Sequence, residues 1–375
     1  MNPSIRLGRL FGIEIGFNWS LVFIFALVTW TLATNVLPVD APGYAPLLYW
    51  LTAAAGALLF YVCLLAHELS HSLVARSHGV KVSGITLWLF GGVSQLEGEP
   101  ATARSEALIA GVGPLTSFGV AAIAFGIGSV TQHVNALVSD LFAYLTFANL
   151  ALGLFNLVPA FPLDGGRLLS SFLWWRSGSR RQGVHNAVRI GRVFAFLMIG
   201  AGVLELFFGA VINGIWIVFL GWFLLSAASA EEAGSNVRTL LRSVPVSAAM
   251  TSPVVTLPDW VTVEQFMESI APNHSFTTYP IHEQSGRLTG VVRLSDLVRL
   301  PPPERAAKHL IDVARPIDDV PVTTPREDLS ALIQRIGAGI NQRVLVFDNG
   351  SLVGILSPAD VARIMTAKQA AANRA

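Results

Sequence analysis

The chain has 375 residues, 53% of them hydrophobic and only 13% charged, with a mean hydropathy of +0.57. That balance excludes an ordinary soluble enzyme of this length and indicates a membrane protein. A net charge of +1 gives no global attraction to nucleic acid, and a single cysteine, Cys63, excludes an internal disulfide.

In chain order, residues 1–16 carry Arg6 and Arg9 and lead into an apolar, aromatic-rich run at 17–36. This is long enough to cross a hydrocarbon core of about 30 Å and long for a signal-peptide core. A second span covers 47–76. Residues 82–99 are too short and too glycine-broken for a spanning helix and alternate like strands, so they read as a re-entrant hairpin whose backbone must be satisfied by protein or water. Further spans follow at 106–130, 141–158, 193–208 and 212–230. Lys and Arg gather at alternate connections, including Arg76, Lys81, Arg104, Arg167, Arg176, Arg180 and Arg181. The connections at 38–46 and 131–140 contain none. By the positive-inside rule both termini are expected in the cytoplasm, with the chain multi-pass in the plasma membrane.

The second span contains His67-Glu68-Leu69-Ser70-His71. Histidines four residues apart share one helix face, the arrangement zinc requires, and the glutamate beside them can act as a general base. Charged groups in a span cost roughly 2.5–3.5 kcal/mol each on insertion scales, so their presence there suggests function. A catalytic zinc takes three protein ligands. The best third candidate is Asp164, in a Pro/Gly-rich stretch that closes the fourth span and lies at a similar depth. Asn156, eight residues earlier, is placed to hold a substrate backbone or an oxyanion, or to serve as an interhelical hydrogen-bonder. Asn149 is read as interhelical glue and Cys63 as a packing residue.

HELSH, the Gly91-Gly92 pair in a broken apolar segment, and Asn156-x-x-Pro159-x-x-Pro162-Leu163-Asp164-Gly165-Gly166 together resemble the site-2 protease family of intramembrane zinc metalloproteases. The resemblance implies one Zn2+ per chain on His67, His71 and Asp164, Glu68 as the catalytic group, and substrate contacts at Asn156, Gly91 and Gly92. It also implies hydrolysis of peptide bonds in membrane-spanning protein substrates during regulated intramembrane proteolysis. The alternative is a membrane metal transporter using the same His/Asp site.

From residue 244 the pattern turns to short β-rich runs alternating with helical ones, and it repeats: Gly290-Val-Val-Arg293-Leu-Ser-Asp296 and Gly354-Ile-Leu-Ser357-Pro-Ala-Asp360. The halves resemble a tandem of CBS domains. That resemblance implies an adenine nucleotide such as ATP bound through Ser357, Asp360 and Asp296, or a ligand-free pair that serves for homodimer contacts. Arg293 stands where the motif has a hydroxyl, which departs from the family pattern. The expected architecture is a polytopic α-helical membrane domain of about six spans with a re-entrant β-like segment at 1–230. A linker at 231–243, a soluble α/β pair of CBS repeats at 244–304 and 305–368, and a tail at 369–375 follow.

Overall fold

The computed structural model describes residues 4–88, 91–274, 276–336 and 343–372. It divides into two compact units, Met1–Ser235 and Asn236–Ala375.

The first unit opens with two strands, β1 (Ile5–Leu10) and β2 (Ile13–Phe17), where the sequence reading expected only a basic lead-in. Phe11 and Gly12 between them both take positive φ, 51° and 78°, the backbone of a tight two-residue hairpin turn. Helix α1 (Ser20–Thr31) continues through a π turn at Leu32–Val36 into α2 (Leu37–Asp40). The 32-residue α3 (Pro46–Ser77) follows, and then the expected hairpin, β3 (Lys81–Trp88) and β4 (Gly91–Glu97). Its tip, Leu89 and Phe90, lies outside the described residues. The sheet order is β1-β2-β3-β4, with β2 and β3 parallel and the other pairs antiparallel. Ile13, Ile85 and Leu87 of this sheet pack against Leu21 of α1 and Leu64 of α3, one turn before His67. The N-terminal strands therefore hold the hairpin against the motif helix.

Four long helices complete this unit: α4 (Ala103–Thr131), α5 (Ala136–Asn156), α7 (Arg180–Phe207) and α8 (Val211–Leu241), with a shorter α6 (Asp164–Ser177) between α5 and α7. Thr102 caps α4 reciprocally with Ser105, Asn135 caps α5, and Ser179 caps α7. Among the described residues six helical segments are long and apolar enough to span, yet only 17–39% of each apolar window is buried inside the protein. Exposed Phe23, Leu51, Ile123, Phe147 and Phe196 would be untenable in water in such numbers, and they suit a hydrocarbon surround. Helix α4 is central, packing on α3, α5 and α6. The last two spanning helices exceed the expected limits. α7 begins at Arg180, because its Arg-rich first turns depress the hydropathy without interrupting the helix. α8 runs to Leu241, so residues 231–241 are helical where a linker was expected.

The second unit contains two similar hairpins. β6 (Thr278–His282) and β7 (Leu288–Arg293) are flanked by β5 (Leu257–Pro258) and β8 (Arg315–Pro316); β10 (Val344–Asp348) and β11 (Ser351–Leu356) are joined by β9 (Val322–Thr323). The repeats exchange their leading segments. Leu241, Val244, Val246 and Ala249 pack with Leu329, Val344 and Leu356 in the second repeat's core. Leu310, with Val313 against it, belongs to the first repeat's core beside Phe266 and Tyr279. Each repeat is thus too small to close its own core, which is the physical reason for the pair.

Candidate functional site

On α3 the four-residue spacing brings His67 and His71 to one helix face. Asp164 meets them from the first turn of α6. This corrects its expected place at the end of the fourth span: α5 stops at Asn156, and the Pro159–Pro162 loop starts a separate helix. A carboxylate in a first turn is favoured by the helix dipole. The close fit of Gly165 and Gly166 fixes it further. A Cβ on Gly165 would fall 2.3 Å from the Leu157 carbonyl oxygen, and one on Gly166 2.6 Å from the Ala160 carbonyl carbon. The two glycines let α6 press onto the loop that presents Asp164.

The three side chains form a nearly equilateral triangle. Nε2 of His67 and Nε2 of His71 are 3.2 Å apart, and Asp164 Oδ2 is 3.3 Å from the first and 3.2 Å from the second. A tetrahedral zinc with ligand distances of about 2.0–2.1 Å separates its ligand atoms by about 3.3–3.4 Å. The tautomers agree. His71 Nδ1 lies 2.6 Å from the Ile109 carbonyl oxygen, which only accepts, so Nδ1 carries the proton and Nε2 presents a lone pair. With His67 in the same tautomer, its Nδ1–H donates to Ser117 Oγ at 2.8 Å. Asp164 Oδ2 is buried and lacks a hydrogen-bond partner. Three electron pairs converging in a buried space repel unless a cation lies among them, so the residues present fit zinc.

Glu68 points to the other neighbour of α3. A Cβ built on Gly92 would sit 2.2 Å from Glu68 Cγ and 2.9 Å from its Oε1, so only glycine lets β4 pass over this side chain. Ser94, two residues on and on the same strand face, donates to Glu68 Oε2 at 3.4 Å and shares a 3.1 Å hydrogen bond with Ser72. The outer edge of β4 has no partner strand among the described residues. Gly91 takes φ +127° with open space around it. Asn156, half-buried, donates from Nδ2 to the Leu152 carbonyl at 3.0 Å, which leaves one N–H and its carbonyl oxygen uncommitted by that bond. Asn149, expected to bond between helices, donates to Leu145 of its own helix at 2.8 Å and also meets the Cys63 thiol of α3.

Sequence reasoning missed Ile109, Gly113, Ser117 and Ser94. A Cβ on Gly113 would lie 2.1 Å from His71 Nε2 and 2.7 Å from His67 Nε2. The four-residue spacing of Ile109, Gly113 and Ser117 was visible in α4, but nothing local showed that it faces the histidines.

In the second unit a cavity of about 440 Å³ is lined by Thr251, Phe276, Thr278, Arg343, Ser357 and Asp360, among others. Asp360 Oδ2 accepts from the Ser357 backbone N–H at 3.0 Å and from its Oγ at 2.6 Å, and Oδ1 accepts from Thr251 Oγ1 at 3.2 Å. Asp296 is exposed, accepts from Ser295 Oγ, and is not among the lining residues.

The family model described as Peptidase family M50 matches residues 55–137 and 126–199, and the CBS domain model matches 246–302 and 310–367. Rip3 of Mycobacterium tuberculosis, named as a zinc metalloprotease, is 40% identical over 369 residues, covering 97% of this chain and 93% of that protein. The chain belongs to peptidase family M50, the site-2 protease family. MJ0392 of Methanocaldococcus jannaschii, also named a zinc metalloprotease, is 29% identical, covering 98% of this chain and 97% of that protein. The solved site-2 protease from Methanocaldococcus jannaschii is 28% identical with a TM-score of 0.41, covering 61% of this chain and 94% of that one. As an M50 member the protein is a multi-pass membrane zinc metalloprotease with a tandem CBS pair, and the metal-transport reading is set aside.

Proposed function

We propose that this metalloprotease hydrolyses a peptide bond within a membrane-spanning substrate segment, with His67, His71 and Asp164 as zinc ligands and Glu68 as general base. The observation that carries the reading is the ligand triangle, set on helices whose outer surfaces are apolar, with Glu68 beneath the free-edged strand β4. A zinc ion held there supplies Lewis-acid chemistry, polarising the scissile carbonyl and making water more acidic. Glu68 takes the proton from the attacking water and passes it to the departing amine. Ser94 orients the Glu68 carboxylate while leaving Oε1 for that transfer. A substrate helix must unwind before its amide can be attacked. The exposed edge of β4 offers the freed backbone a strand to pair with, and Gly91 and Gly92 let it approach without side-chain obstruction. Asn156 contributes an N–H and a carbonyl oxygen to the same extended backbone.

The charge asymmetry of the connections supports cytoplasmic termini in the plasma membrane. On that reading the CBS pair samples the cytoplasm. An adenine nucleotide in the Ser357–Asp360 cavity, whose volume lies in the range of small-molecule sites, then modulates proteolysis. Pairing of two chains through these domains is part of the same proposal.

The test is Glu68→Gln in purified protein reconstituted with a membrane-spanning substrate. Cleavage is expected to fall by roughly 10²–10⁴-fold with zinc content unchanged. Cleavage at the wild-type rate would overturn the assignment of Glu68.

A further inference from the structure

Helix α3 carries three serines, and they divide by what their hydroxyls bind. Ser70 Oγ donates back to the His67 carbonyl at 2.6 Å and Ser77 Oγ to the Val74 carbonyl at 2.8 Å, the local bond a helical hydroxyl commonly makes. Ser72 reaches outward instead. Its Oγ lies 3.1 Å from Ser94 Oγ on β4, and the residue is 0% exposed.

Glu68 and Ser72 are four residues apart, so they lie on one face of α3 a single turn from each other. The sheet face above them is set by register. Gly92 lies opposite Leu87 and Ser94 opposite Ile85. Directly paired residues share a face, and Ile85 and Leu87 are buried against α1 and α3. Of these four positions Ser94 alone offers a polar side chain to α3, and both Glu68 and Ser72 meet it.

Donor counting gives this chain a direction. Ser94 uses its one O–H on Glu68 Oε2, so its oxygen accepts from Ser72, and the order runs from Ser72 through Ser94 to Glu68. The Ser94–Glu68 distance of 3.4 Å is long for an O–H···O bond, whose usual range is about 2.5–3.0 Å. A contact that long, made by a hydroxyl free to rotate, orients a carboxylate poorly. The bond from Ser72 restricts the rotation, and a hydroxyl that accepts a hydrogen bond donates a stronger one.

We propose that Ser72 is a positioning residue for the hydrolytic reaction: through Ser94 it holds the Glu68 carboxylate in the orientation from which it takes the proton of the attacking water. The inference rests on the assignment of Glu68 as general base. It also gives β4 two connected faces, because the strand whose outer edge is offered to the substrate is fastened on its inner face to the turn of α3 that follows the base.

The test is steady-state cleavage of a membrane-spanning substrate by the full-length protein reconstituted in vesicles. The rate constant kcat, KM and bound zinc are measured for wild type, Ser72→Ala, Ser94→Ala, the double variant and Glu68→Gln. Ser72→Ala removes one oxygen from a buried site without adding volume, and unchanged zinc content reports that the site is still assembled. Each single substitution is expected to lower kcat about tenfold, the effect of one hydrogen bond to a charged group, with KM and zinc unchanged. The double variant should be no slower than the slower single one, because the two hydroxyls act in series. Ser94→Thr, which keeps the hydroxyl, should stay close to wild type. With Glu68→Gln inactive, any of three results would overturn the role of Ser72: wild-type kcat in Ser72→Ala, a loss confined to KM or bound zinc, or single effects that multiply in the double variant. Wild-type cleavage by Glu68→Gln would overturn the base assignment and this inference with it.

Discussion

Gly113→Ala separates a metal-centre constraint from ordinary helix energetics, because the two predict opposite signs. In a helix interior, replacing Gly by Ala normally stabilises by roughly 0.8–1.0 kcal/mol. At Gly113 the new Cβ would stand 2.1 Å from His71 Nε2, 2.4 Å from its Cε1 and 2.7 Å from His67 Nε2, whereas ordinary contact begins at 3.4 Å. The rings have little freedom to yield, since Ile109 holds one Nδ1 and Ser117 the other. Relief of the clash must move a ligand atom by more than an ångström, and metal–ligand distances tolerate about 0.2 Å. Zinc affinity is therefore expected to fall by about 100-fold or more, equivalent to at least about 2.7 kcal/mol, with proteolysis lost in parallel. Elemental analysis after equilibration against graded zinc-buffering chelators measures it. Gly119→Ala is the matched control: it lies on the same helix with nothing within 4 Å of the added Cβ, and it should keep wild-type zinc affinity. A Gly113→Ala protein with wild-type zinc affinity would refute the arrangement of α3 against α4.

Ser117→Ala should weaken zinc binding by roughly 10–100-fold, the usual effect of removing a ligand's outer hydrogen-bond partner; wild-type affinity in the same chelator series would show that Ser117 does not orient His67. In the second unit, burial works against the charged form of Asp328. Hydrogen bonds from Ser330 and from the backbone N–H groups of Ser243, Ser330 and Ala331 outweigh it and hold the carboxyl below its usual 3.8. Its contribution to stability is thus complete above the unfolded value and is lost as pH falls through the lower folded one. The melting-temperature gap between wild type and Asp328→Ala should be constant from about pH 7 to about pH 5 and close below about pH 4. A gap that persists or widens in acid would contradict it.

The membrane half was largely legible because a bilayer reduces sequence to hydropathy: each long apolar run became a helix, and each polar residue inside one stood out. His67, Glu68 and His71 stood out as candidates for that reason, and Asp164 through its Pro/Gly-rich stretch. Features that depend on contact between distant segments were less so. Strands β1 and β2 carry the alternation of Ile13, Ile15 and Phe17, but their turn places a bulky Phe11 at φ 51°, where a glycine or asparagine would have signalled the hairpin. The helical starts of α6 and α7 were obscured by Pro162 and by Arg180 and Arg181, which hydropathy reads as the end of a span. The exchange of leading segments between the CBS repeats leaves no local trace, since Val244 and Leu310 are apolar in either core.

Helix α4 shows how a protein with few polar residues can still position the proposed metal site. His71 meets Ile109 and His67 meets Ser117, so residue numbers rise on one helix as they fall on the other, and α3 and α4 run antiparallel at this contact. Four residues separate the two proposed ligands on α3, and eight separate their partners on α4, with Gly113 midway between the rings. Ile109 contributes a backbone carbonyl, which no side-chain substitution removes, whereas Ser117 contributes a hydroxyl. Pro114 cannot donate to the Ala110 carbonyl, and its ring presses on that carbonyl, which loosens the helix ladder in the turn that offers Ile109. The two histidines are therefore anchored by different means. Removing a side-chain partner on α4 can release His67, while the partner of His71 is lost only through a change in backbone path. The same helix packs against α6, which presents Asp164, so a shift of α4 reaches all three proposed ligands without any of them being replaced.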